Sequence, residues 1–217
     1  MSRNVLVTGF EPFGGDPVNP SWEIAKSLEG KNIEGCCVKS LEVPVCNKRA
    51  VDVIQSAIDE YKPDVVITLG LAWGRCAITV EKVAINIRDY SIPDNYGDMP
   101  QDLPIDPEGP VAYFSTLPIR SIVKELRDNG IPSFVSYTAG SYLCNQIMYG
   151  TLHYCAKKGL PIKTGHIHVP YMASQIIAKA EKIPSWPLGF IQHAIELSIK
   201  AAISHDKDVE LIIGEFY

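Results

Sequence analysis

Apolar and polar positions along this chain change their period repeatedly, and each change marks an element. Asn4–Gly9 (NVLVTG) is almost wholly apolar and reads as a buried strand. Asn19–Gly30 reads as a helix, with Asn19 placed to cap it, Pro20 to sit in its first turn and Gly30 to end it. Cys37–Val43 reads as a strand. Cys46–Tyr61 then puts Val51, Ile54, Ile58 and Tyr61 on one helical face. Asp64–Gly70 (DVVITLG) has the continuous apolar character of a parallel strand covered on both sides. Ala77–Ile87 predicts one or two strands. Residues 90–112, rich in Pro, Asp and Gly, predict a long irregular segment of the kind that often carries function. Beyond it come a helix over Pro118–Gly130, a strand over Ser133–Tyr137 and a helix from Tyr142 to Lys158. A strand over Gly165–Val169, an amphipathic helix over Leu188–Ser204 and an apolar tail over Val209–Ile213 complete the chain.

Strands alternating with helices predict an α/β fold with a mostly parallel sheet flanked by helices. Ligands of such sheets bind beyond the carboxyl ends of the strands. Gly9–Asn19, Gly70–Arg75, Ala139–Cys144 and Pro170 are all expected at such ends. The first of these, in VLVTGFEPFGGDPVNPSWE, has glycines at the spacing of a phosphate loop. Gly15 and Asp16 nevertheless occupy the lysine and Ser/Thr positions, and Phe10 and Phe13 enter the loop. A phosphate cradle needs a cation and a hydroxyl there, so phosphate is excluded. No G-x-G-x-x-G follows the first strand, which argues against a dinucleotide enzyme.

Cys144 is expected in the first turn of a helix that follows a strand. Free N–H groups and the helix dipole favour thiolate there, and a thiolate attacks carbonyl carbon well. The alternative is a thiol that merely fills buried space, which is how Cys36, Cys37, Cys46, Cys76 and Cys155 are read. Among the five histidines, His166 and His168 share one face of the strand GHIHVP, with His168 nearer its carboxyl end. His153, His193 and His205 read as surface residues of helices. The His166/His168 pair also suits a metal hydrolase, although spacing supplies no third ligand. Glu81 is a carboxylate inside an apolar strand and suits the role of orienting an imidazole, with a solvent-facing edge position as the alternative.

GFEPFGG with NPSWE, GLAWGR (70–75), ITVEKVAIN (78–86), IPDNYG (92–97), AGSYLCNQIMY (139–149) and HIHVPYM (166–172) occur in the order found in pyroglutamyl peptidase I, and the chain resembles that family of cysteine peptidases across positions 5–172. The resemblance implies a single-domain three-layer α/β/α sandwich spanning 1–217, with no cofactor and no metal. It implies Cys144 as nucleophile, His168 as general base and then acid, and Glu81 as the group that orients His168. It implies removal of an N-terminal pyroglutamyl residue from small peptides, with Phe10 and Phe13 holding the flat lactam and Asn19 implicated beside them. It also implies a homo-oligomer, tetramer or dimer. Two positions depart from the family pattern. Ser91 stands where an arginine thought to polarise the reacting carbonyl is usual, with Arg75 or Arg88 as substitutes. Leu71 stands in the substrate region where some members carry Gln. Ser91 keeps open a second reading, a relative that binds lactams without efficient turnover.

Bulk properties agree. The 217 residues suit one α/β domain, and 46% hydrophobic with 21% charged residues is ordinary for a globular protein. A net charge of −5 without a basic block makes nucleic acid a poor partner. No apolar run approaches the roughly 20 residues of a membrane span, and no signal peptide is visible. Scattered cysteines without a C-x-x-C pair then predict reduced thiols in a cytoplasmic protein.

Overall fold

The computed structural model describes residues 3–212 apart from 178 and 180. Its centre is a seven-stranded sheet built from β1 (Arg3–Phe10), β2 (Asn32–Ile33), β3 (Cys36–Val43), β4 (Val65–Leu71), β5 (Ile78–Glu81), β8 (Ser133–Ser136) and β9 (Lys163–Val169), in the order β2-β3-β1-β4-β9-β5-β8. β3, β1, β4 and β9 are mutually parallel, and the nearly continuous apolar runs of β1 and β4 suit strands covered on both faces. β5 pairs antiparallel with β9 and parallel with β8, while β2 is antiparallel to β3.

Helices cover both faces, because the apolar stripe of each needs a partner on the sheet. On one face, Ile24 and Ala25 of α1 (Pro20–Ser27), Ile122 and Leu126 of α3 (Ile119–Asp128) and Ile195 and Ile199 of α6 (Leu188–Ser204) pack with Val5, Val7, Ile67 and Ile167. On the other face, Ile54 and Ile58 of α2 (Ala50–Tyr61) and Leu143 and Ile147 of α4 (Leu143–Lys158) pack with Leu6 and Val66. No helix among the described residues is long and apolar enough to cross a membrane.

Predicted and observed elements differ in instructive places. α2 starts at Ala50 rather than Cys46, because the Asn47 N–H donates to Asp94 and its carbonyl accepts from Gln146 Nε2. The 77–87 stretch splits: β5 joins the main sheet, and β6 (Val83–Ile85) pairs with β7 (Ala112–Phe114). The two-residue strands β10 (Tyr171–Met172) and β11 (Ser185–Trp186), and α5 (Ala173–Ile176), are too short to set a period. The apolar tail forms no element through Ile212, which is fully exposed, and position 213 lies outside the described residues. α6 completes the core.

The larger correction concerns β8. It runs opposite to β9, so Ala139–Cys144 does not follow a carboxyl end shared with β1, β4 and β9. β5 and β8 are short, and in register Glu81 lies level with His166 inside β9. The chain therefore leaves β8 partway along the sheet and enters α4 across its face.

Asn19 caps α1 by accepting the Ser21 N–H at 3.1 Å, and the helix lies so close to β1 that a Cβ at Gly9 would fall 2.2 Å from the Ser21 carbonyl oxygen. Gly9→Ala must displace backbone. It is expected to cost at least about 1–3 kcal/mol, read as a fall of several degrees in Tm. An unchanged Tm would show that this close approach contributes nothing to stability.

Candidate active site

The site begins with a charge taken out of water. Glu81, the last residue of β5, is fully buried, and its Oε1 lies 2.7 Å from His168 Nδ1. Antiparallel pairing makes this contact: Thr79 stands opposite His168, so Glu81, two residues on, shares its face and reaches it diagonally. Arg75 Nη1 donates to Glu81 Oε1 at 3.2 Å and to Thr79 Oγ1 at 2.5 Å. Burial pushes the Glu81 carboxyl above its ordinary range, and the Arg75 charge opposes that shift. Burial, reinforced by Arg75, pushes His168 down to about 3. The stable form is a neutral imidazole whose Nδ1–H is held by a carboxylate that Arg75 compensates. His168 Nε2 is thereby left as the nitrogen that carries the lone pair.

Cys144 sits in the first turn of α4, and its Sγ lies within 4.8 Å of a nitrogen of each of the two histidines. Gly70 admits it: a Cβ there would stand 2.7 Å from Sγ and 2.8 Å from His166 Nε2. Gly70 belongs to this site, and its only signal in the sequence was a glycine closing an apolar strand. The lowering expected at a helix start is opposed here by burial. Desolvation, with the nearby Glu81 charge, pushes the thiol up to about 12 and outweighs Arg75 and the residue's own backbone N–H. Desolvation thus favours the neutral form of both thiol and imidazole at rest.

Beside the thiol lies a cavity of about 200 Å³, lined by Cys144 and by all four residues expected to bind substrate, Phe10, Phe13, Asn19 and Leu71. Drug-sized pockets run to about 300–1,000 Å³, so this one fits a single small group. Phe10 is buried and anchors in the core, whereas Phe13 is half-buried against Tyr142 at a centroid distance of 5.6 Å. Asn19 is heavily engaged: beside its cap, Nδ2 donates to the Glu11 carbonyl at 3.0 Å. Sequence reading missed Trp73, Tyr142 and Tyr171, although Tyr142 stood two residues from Cys144. The pocket is also not free of charge, since Asp16 and Lys179 line it as an ion pair of 2.6 Å.

The irregular segment braces this pocket. Asp94 accepts N–H groups from Asn47, Tyr96 and Asp98, and Asn95 Nδ2 donates to Glu11 Oε1 and the Pro12 carbonyl. Ser91 is exposed and does not line the cavity. Of the two arginines expected as substitutes, Arg75 is engaged by Glu81, and Arg88 by the Pro104 carbonyl and Asn47. His166 and His168 do share a face, with ring centroids 4.5 Å apart. Spacing supplied no third donor beside them, but Cys144 Sγ lies within 4.8 Å of a nitrogen of each. His153 is not a surface residue as expected: it meets Asp106 at 3.1 Å and Tyr113 at 3.0 Å. Cys76 is exposed and fills no core space.

Alkylation of Cys144 by iodoacetamide, followed by peptide mass spectrometry, is expected to keep accelerating above pH 9. A plateau near pH 7 would mean a stable thiolate at rest and would contradict the neutral pair.

Residues 3–205 match the family described as pyroglutamyl peptidase, Peptidase_C15. The chain is 44% identical to the pyrrolidone-carboxylate peptidase of Brevibacillus brevis, over 98% of this chain and 99% of that one. It is 49% identical to the pyrrolidone-carboxylate peptidase of Thermoanaerobacter sp., over 90% and 96%. Among solved structures, the pyrrolidone carboxyl peptidase of Thermococcus litoralis superimposes with a TM-score of 0.93 at 45% identity, covering 96% of this chain and 99% of that chain. Pyroglutamyl peptidase I of Bacillus amyloliquefaciens superimposes with a TM-score of 0.92 at 40% identity, covering 95% and 100%. With that extent of agreement in sequence and fold, the chain belongs to the pyroglutamyl peptidase family of cysteine peptidases.

Proposed function

We propose that the pyrrolidone-carboxylate peptidase activity of this chain, the removal of N-terminal pyroglutamate from peptides, runs through a thioester on Cys144. The observation that carries this reading is the line from buried Glu81 through His168 to a thiol beside a small, largely apolar cavity. Cys144 Sγ attacks the pyroglutamyl carbonyl while its proton passes to His168 Nε2. Holding the proton until attack suits two groups that are both neutral at rest. The imidazolium that forms is stabilised by Glu81, and it then protonates the departing amine. Water activated by His168 hydrolyses the thioester and restores the thiol. Free N–H groups at the start of α4, including that of Cys144, serve the oxyanion. Because these donors belong to the backbone, no arginine is required at position 91.

The cavity supports selection of a lactam. Phe10, Phe13 and Tyr142 offer apolar and aromatic surface to a flat ring, and the Asp16–Lys179 pair leaves no net charge. An open-chain glutamate would bring two further charges into this space, at several kcal/mol. The chain acts in this scheme as one catalytic domain of a cytoplasmic homo-oligomer, dimer or tetramer. Exposed Ile85, Val111 and Phe114 beside the β6–β7 pair supply apolar surface for such contacts.

Hydrolysis of a fluorogenic L-pyroglutamyl amide is expected in the wild type and absent in Cys144→Ala. Turnover surviving in Cys144→Ala would remove the thiol from the reaction. Glu81→Gln is expected to lower kcat by about 10²-fold or more with KM little changed, because it removes the stabilised imidazolium rather than the pocket. Ser91→Arg is expected to change kcat/KM by less than about tenfold. A rise of roughly 10²–10³-fold, the usual value of one oxyanion donor, would mean that the wild type lacks that donor and would favour the lactam-binding reading.

A further inference from the structure

His166 has no part in that reaction, yet it is fully buried against the nucleophile. Thr68 Oγ1 lies 2.8 Å from His166 Nδ1 and donates its own proton to the Gly165 carbonyl at 3.2 Å. The hydroxyl is therefore an acceptor towards Nδ1–H, and the lone pair of His166 sits on Nε2. That atom is buried without a hydrogen-bond partner, and it faces the same Gly70 slot as Cys144 Sγ. An orphaned buried acceptor costs about 1–3 kcal/mol, so its retention calls for an explanation.

Both imidazoles are held at Nδ1, one by a hydroxyl and one by a carboxylate. This is how proteins orient histidines whose Nε2 binds a metal. With Cys144 Sγ the donor set is one thiolate and two imidazoles, all within 4.8 Å of one another. Tetrahedral zinc needs donor separations of about 3.3–3.6 Å, which side-chain rotations of about an ångström can supply. Thiolate with imidazole selects zinc and its softer neighbours over magnesium or calcium.

We propose that Cys144, His166 and His168 form a binding site for zinc or a similar soft divalent cation, with its fourth position open to the cavity. Binding exchanges the Cys144 thiol proton, released to solvent, for a metal–sulfur bond. It also occupies His168 Nε2. The inhibitory consequence rests on the proposed function: metal and substrate compete, and the bound form is inactive until a chelator removes the cation.

Cobalt(II) titrated into dialysed wild-type protein is the direct test, since a thiolate-to-cobalt charge-transfer band reports Cys144 ligation. The expected result is a band saturating at one equivalent, displaced by zinc, with hydrolysis lost in parallel and restored by chelator. His166→Asn is expected to keep peptidase activity, weaken cobalt binding by at least roughly 100-fold and resist zinc. Thr68→Val, which leaves all three donors in place, is expected to weaken binding by about tenfold and carries the test where His166→Asn fails to fold. Absence of the band in the wild type, or equal affinity in the wild type and the variants, would overturn the site. A bound metal with undiminished hydrolysis would leave the site standing and remove Cys144 from the peptidase reaction.

Discussion

The 2.7 Å contact between His168 Nδ1 and Glu81 Oε1 organises this molecule. A carboxylate with no exposed surface is tolerated only with partners, and the surrounding fold supplies them. β5 must run against β9 for Glu81 to reach His168 on the diagonal, and Arg75 must fold back over β5 to compensate the charge. β4 must carry a glycine at position 70 to admit the thiol on the next strand's face. The antiparallel pairing of β5 with β9 in a mostly parallel sheet is thus the condition for the site.

Around that contact the work is divided between rigid and irregular parts. The sheet and the first turn of α4 hold the reacting atoms. The Gly9–Asn19 loop forms the wall that meets the ring, and the 86–112 segment stiffens that wall through Asp94 and Asn95. The N–H groups of Asp94, Asn95, Tyr96 and Gly97 in the segment's IPDNYG motif all find acceptors, which explains how a long stretch with little helix or strand still serves a defined pocket. Burial has a chemical consequence as well. It keeps thiol and imidazole neutral, so the thiolate forms only as the carbonyl is attacked.

Much of this was legible in the sequence. The apolar runs of β1 and β4 and the capped start of α1 follow local rules, and the structure keeps them. Phe10, Phe13, Asn19 and Leu71 do meet around one cavity with Cys144. The direction of β5 and β8 was not legible, because a four-residue apolar strand reads the same either way. The helix start that lowers a thiol pKa is visible in sequence, whereas the desolvation that opposes it is not. Gly70, Thr68 and His166 act through approach and orphaned valence, which only three-dimensional packing creates.

The central claim is that Cys144, a partly buried thiol whose desolvation disfavours the resting thiolate, becomes the acyl carrier as it attacks. Its most direct test is intact-protein mass spectrometry of the enzyme mixed with a pyroglutamyl ester and quenched in acid within milliseconds. The predicted result is a species heavier by one pyroglutamyl group, mapped by peptide digestion to Cys144 and decaying as free pyroglutamate appears. Turnover with no adduct, or an adduct on any other residue, would contradict it.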